Sequence, residues 1–143
     1  MSGIKFYSYE GMGKELLRDY GYQQAVRIGD RIEVCGQGGW RNSLGDIPTG
    51  DPIAQIDNAF ENVDKALKAA GGKGWSQVFR VNSTHLPLNA DVMGAMQRNF
   101  KKYIPDHQPL WTCVEVQKFA LDVMGVEIVV AYDPEGAKAA GTK

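Results

Sequence analysis

Hydrophobic positions recur with helical spacing in two long stretches. Ile53, Ile56, Phe60, Val63 and Leu67 form one stripe, with Ala59 and Ala66 between them. Asp57, Glu61, Asp64, Lys65 and Lys68 take the opposite, wet face. Asp51-Pro52 supplies a capping carboxylate and a proline suited to the first helical position. Gly71-Gly72 supplies the left-handed stop. The second stripe runs Val92, Met96, Phe100 and Tyr103 or Ile104, with Asn89 as cap and Pro105 as stop.

The remaining apolar runs alternate. IKFYSYEG is short, aromatic and β-branched. Tyr22 to Ile28 and Arg31 to Cys35 flank Gly29-Asp30, which predicts a hairpin. SQVFRVNSTHL is a further β-rich run. In PLWTCVEV, Leu110, Thr112, Val114 and Val116 share one side, expected to be the core side. Trp111, Cys113 and Glu115 share the other. The last run, VEIVVAY, sets Val126, Ile128 and Val130 against Glu127, Val129 and Ala131. The predicted order, β-β-β-α-β-α-β-β, implies an α+β domain: one sheet with two helices on one face. The uncovered sheet face carries apolar and aromatic residues, which implies a homo-oligomer.

Composition narrows the function classes. The 143 residues are 43% hydrophobic and 23% charged, with a net charge of −1. That is one ordinary globular domain with no general field toward nucleic acid or membrane. The domain is expected over 1–133, and the small, polar, Gly-rich 134–143 as a flexible tail. The N-terminus has no apolar stretch of signal-peptide length, and no run could span a bilayer, so a cytoplasmic protein with reduced thiols is expected.

Catalytic signatures are sparse. No P-loop, HExxH or GxSxG occurs. GQGG, Gly36 to Gly39, follows a strand without opening a helix, so it reads as a turn. His85 and His107 stand apart from any Cys or acidic residue at ligand spacing, so no metal or other cofactor is expected. His85 ends a strand and can line a cleft; His107 lies in a polar loop. Cys35 and Cys113 sit in apolar strands, where inert packing is the default. Glu127 interrupts an apolar run: it faces water, pairs, or does chemistry, and the residue types leave these open.

Three segments taken together carry a resemblance: YQQAVRIGDRIEVCGQ, AQIDNAFENVDKALKAAGG and WTCVEVQKF with VEIVVAY. Their order and spacing resemble the Rid/YjgF family of reactive intermediate deaminases, from Tyr22 to Tyr132. The resemblance implies a chorismate-mutase-like α+β fold and a homotrimer whose sheets form a central barrel, with clefts between subunits. In the deaminase branch it implies an arginine gripping the carboxylate of an imine or enamine. A water held by a glutamate and by backbone at a cysteine then attacks the C=N carbon. Carried onto this chain, Glu127 matches the glutamate and Cys113 the cysteine. Tyr22 matches the hairpin tyrosine, Cys35 takes the usual serine position, and Gly36 follows it. The arginine position holds Trp111, and an indole cannot make a bidentate, charge-assisted grip. The helix after His85 departs as well, with Val92, Met93 and Met96 where V-N-x-x-Y is expected. Arg80, Arg41 or Lys5 are candidates for the missing cation.

Three functions follow. The first is a Rid-like enzyme acting on a bulkier, aromatic or carboxylate-free imine or enamine, by hydrolysis or related acid/base chemistry at Glu127. The second is a non-catalytic trimer binding metabolites or partner proteins. The third, ribonuclease activity, has least support, because no basic, aromatic-interleaved strip is present.

Overall fold

The computed structural model describes residues 3–120 and 126–139, with backbone alone at 126–129 and 139. Six strands form one sheet: β1 (Ile4–Tyr7), β2 (Ala25–Ile28), β3 (Arg31–Gln37), β4 (Val78–His85), β5 (Leu110–Glu115) and β6 (Val126–Tyr132). Their order is β1-β2-β3-β6-β4-β5. All neighbours are antiparallel except β4 and β5. A parallel pair needs a crossover, which α3 (Ala90–Tyr103) supplies. The other helices are α1 (Met12–Tyr20), α2 (Pro52–Ala69) and α4 (Pro134–Ala139).

Both predicted helices form from the signals that announced them. The Asp51 side chain accepts from the Ala54 N–H at 3.0 Å, with Pro52 opening α2. Asn89 accepts from the Val92 N–H at 3.0 Å and caps α3. Gly71 takes φ 87°, the left-handed conformation glycine tolerates best. The Gly29-Asp30 turn joins β2 to β3 as expected.

Pairing sorts the sheet into rows. Tyr7, Ala25, Val34, Val129, Val81 and Trp111 are successive register partners across all six strands. Ala25, Val34 and Val81 are buried, and Tyr7 and Trp111 pack against the core at the two ends. The neighbouring row, Phe6, Val26, Glu33, Val130, Arg80 and Leu110, lies on the open face. Phe6 is 51% and Leu110 62% exposed.

The rows reverse the expected faces of β5. Trp111 and Cys113 face α3, while Leu110 and Val114 lie open. Both sides of this strand carry apolar residues, so alternation alone could not say which side was buried; the parallel register with β4 decides it.

Two α-helices were absent from the predicted order. Helix α1 buries Met12 and Leu16. The segment expected to fray from residue 134 instead forms α4 as far as Ala139, with Ala137 buried. A buried ion pair leads into α4: Arg27 Nη2 meets Asp133 Oδ2 at 2.6 Å, both fully enclosed. Arg27 also donates to the carbonyls of Ala70, Gly29 and Asp133, so its fork is satisfied inside the core.

Candidate functional site

The predicted site residues fall into two groups at different parts of the sheet. The first lies where β2 begins and β3 ends. Tyr22 and Gly36 border a cavity of about 240 Å³ with Leu16, Tyr20, Trp40 and Leu44. The glycine loop that follows is pinned to α2. Asn62 Nδ2 donates to the carbonyls of Gly38 and Trp40, both at 2.8 Å, and Asn58 Nδ2 donates to Gly39 O at 3.1 Å. Gly39 approaches α2 so closely that a Cβ there would sit 2.7 Å from Gln55 Cα. The loop is a fixed wall, and glycine permits the close contact.

A buried relay lines the same region. Trp40 Nε1 donates to Tyr9 Oη at 3.0 Å, and Tyr9 Oη donates to Gln37 Oε1 at 2.8 Å. Gln37 Nε2 then donates to Gln24 Oε1 at 2.8 Å. Cys35 sits beside this relay, its Sγ 3.6 Å from Gln37 Nε2. Burial pushes the Cys35 thiol up to about 11, with the Gln37 hydrogen bond acting against it. At neutral pH Cys35 is therefore a thiol, a poor nucleophile. Burial chiefly raises the Tyr22 phenol as well, Cys35 adds to this, and the Gln24 side chain opposes it.

The second group lies between β4, β5 and α3. Trp111 Nε1 donates to Ser83 Oγ at 3.0 Å, and Ser83 Oγ lies 2.8 Å from His85 Nε2. The Trp111 ring meets Phe100 edge-on, with centroids 5.1 Å apart and planes at 80°. Cys113 Sγ donates to Met93 Sδ at 3.6 Å. His85 is enclosed, and burial lowers its pKa, so the ring is neutral near pH 7. It is held by Ser83 inside the fold, where the sequence suggested a cleft-lining residue. Arg80 pairs with Leu110, one residue from the Val81–Trp111 pair, so it stands on the open face, opposite the indole.

Backbone pairing relates Glu127 to both groups. Gln37, Glu127, Ser83 and Cys113 are successive partners across β3, β6, β4 and β5. The side chain of Glu127 lies outside the described residues. Cys35 and Cys113 are on strands three spacings apart, about 14 Å. One chain therefore does not bring Tyr22, Cys35 and Gly36 together with Trp111 and Cys113. Among the described residues, no three His, Cys, Asp or Glu side chains gather as metal ligands. No described helix is long and apolar enough to cross a membrane.

Sequence reasoning missed Ser83, Tyr9, Trp40, Gln24, Gln37, Asn58 and Asn62. A signal existed for the two asparagines: they stand four apart on the buried side of α2, and buried amides need partners. Ser83 carried none, because its partners come from β5 and from its own strand.

Comparison with known proteins agrees with this architecture. The family profile described as endoribonuclease L-PSP matches residues 12–132. A RutC family protein of Pyrococcus abyssi is 29% identical over 111 residues, covering 78% of this chain and 85% of that protein. The solved structure of protein YjgH superposes with a TM-score of 0.78 at 26% identity, covering 93% of this chain and 98% of that one. A Mycobacterium tuberculosis member of the YjgF/YER057c/UK114 family superposes with a TM-score of 0.69 at 24% identity, covering 90% and 98%. With a six-stranded α+β fold and a sequence match over nearly the whole domain, the chain belongs to the Rid/YjgF family.

Proposed function

We propose that this protein hydrolyses reactive imines or enamines at clefts between the subunits of a homotrimer. Its substrates are aromatic or carboxylate-free. The observation that carries this reading is the row Gln37–Glu127–Ser83–Cys113, which puts the candidate acid/base residue Glu127 in register with the motif cysteine, two strands away across Ser83. Separation of the Tyr22 group from the Trp111 group supports a cleft completed by a second copy. The open sheet face, with Phe6, Leu110 and Val114 exposed, supports association over that surface.

In the proposed reaction, the Glu127 carboxylate takes a proton from water as the oxygen adds to the C=N carbon. The carbinolamine nitrogen takes that proton, the C–N bond breaks, and the hydroxyl loses its remaining proton to the departing nitrogen. The products are a carbonyl compound and ammonia. An enamine first takes a proton on carbon and gives one up from nitrogen, becoming the imine. Trp111 sets the substrate class. Losing a guanidinium grip on a carboxylate costs on the order of 2–5 kcal/mol of binding, by analogy with truncated charge pairs. The indole instead offers a flat apolar surface.

One observation favours the second reading, a binding protein without turnover. The single indole N–H is already spent on Ser83, so Trp111 acts as a packed wall. Ribonuclease activity is named by the matched profile, but a net charge of −1 offers little attraction to phosphates.

Ammonia release from imines generated in situ tests the proposal, with wild type, Glu127→Ala and Trp111→Arg assayed alongside sedimentation equilibrium. The expected result is a trimer that releases ammonia from aromatic or uncharged imines and loses at least about 100-fold in kcat in Glu127→Ala. Trp111→Arg should shift preference toward 2-iminoacids. An inert wild type that binds imines would favour the binding reading. Undiminished activity in Glu127→Ala would remove the mechanism. RNA cleavage by wild type at matched concentration would favour the third function.

A further inference from the structure

Trp111 has a second neighbourhood, one that Cys113 does not line. A cavity of about 460 Å³ lies between the end of α3 and the start of β5. Phe100, Ile104, Pro105, Pro109 and Trp111 give it an apolar wall, a volume and lining suited to a small molecule. The two aromatic rings are fixed edge to face, and Trp111 is also tied to Ser83, so the wall is rigid before any ligand arrives.

Four polar side chains border this cavity, Gln97, Lys101, His107 and Gln108, and two of them bear on charge and protonation. Lys101 lies in the last turn of α3 and is exposed. It makes no ion pair among the described residues. His107 Nε2 lies 2.7 Å from the Val78 carbonyl, which can only accept, so Nε2 carries the proton and Nδ1 is the free ring nitrogen. No Asp or Glu lines the cavity. The site thus combines a flat apolar wall with an uncompensated cation.

We infer that this cavity binds a planar aromatic carboxylate, its ring against Trp111 and Phe100 and its charge at Lys101. This goes further than the imine reading and does not require turnover. A lysine is a point charge without the planar fork of arginine, so the ring contact supplies orientation and the ammonium supplies preference for the anion.

Indole-3-acetate and its uncharged isostere indole-3-acetamide are suitable probes. Each is titrated into ¹⁵N-labelled protein while the Trp111 Nε1–H resonance is followed. Saturable shifts are expected with both, and about five- to tenfold tighter binding of the acetate at low salt. Lys101→Met should remove that difference and leave the acetamide unchanged. Added salt should weaken only the acetate. Equal affinity of the two probes, an unchanged preference in Lys101→Met, or no saturable shift at Trp111 would each overturn the inference. Lys101 is an exposed helix residue, so its replacement leaves the fold intact. Ammonia release is assayed separately, so an inert protein that still selects the acetate would sink the hydrolysis proposal and leave this site standing.

Discussion

Cys35 shows how environment overrides residue type. Free thiols are potential nucleophiles, yet burial moves this one from an ordinary 9.0 to about 11. Its thiolate fraction near neutral pH is then about 100-fold below that of an unfolded cysteine. Iodoacetamide labelling followed by mass spectrometry should find Cys35 slow at pH 7 to 8, accelerating as the pH approaches 11, and fast at pH 8 in denaturant. Rapid labelling of the folded protein at pH 7 would contradict the assigned environment. Trp111 is the converse case. Sequence identified it as anomalous by position, but its engagement with Ser83 and Phe100 was not legible, because those partners lie 28 and 11 residues away on other elements.

At the scale of elements, the parts read best from sequence were those whose signals are local. Helices α2 and α3 carry their stripe, cap and stop within one stretch of chain. Helix α1 was missed because its buried residues, Met12, Gly13 and Leu16, are few and two glycines frame it. The burial of β5's tryptophan side depended on β4, a distant partner. The glycine loop depends on α2 in the same way. Asn62→Ala removes both of its bonds and strands two loop carbonyls, at a cost of about 2–3 kcal/mol. Thermal denaturation should show a lowered Tm. Asn62→Asp should do no better, because a carboxylate cannot donate. A Tm unchanged in both variants would mean that the loop is not held by α2.

At the scale of the molecule, the α+β class followed from the order of elements, while strand order and row composition did not. Register joins residues from opposite ends of the chain, and period-two alternation carries no information about which strands meet. The uncovered face was foreseen in kind, and Phe6 and Leu110 mark the two ends of its central row. The Arg27–Asp133 pair lay beyond sequence reasoning altogether, since nothing local announces an arginine in the core. It spans 106 residues, so closing it carries a large loop entropy that the chain meets only once the sheet is assembled. The expectation is a late latch, set after the folding barrier, whose influence is on the rate of opening. Burial raises the Asp133 carboxyl, but donation from Arg27, Gln77 and Gly136 outweighs this and holds it below the ordinary carboxylate value. The latch is therefore complete above about pH 4 and fades as the pH falls through that lower value. Asp133→Asn should accelerate unfolding in stopped-flow denaturant jumps by at least about 100-fold while leaving the refolding rate nearly unchanged. A matching loss in refolding rate would instead place the latch in the folding nucleus, making the last turn of chain a condition for the first hairpin.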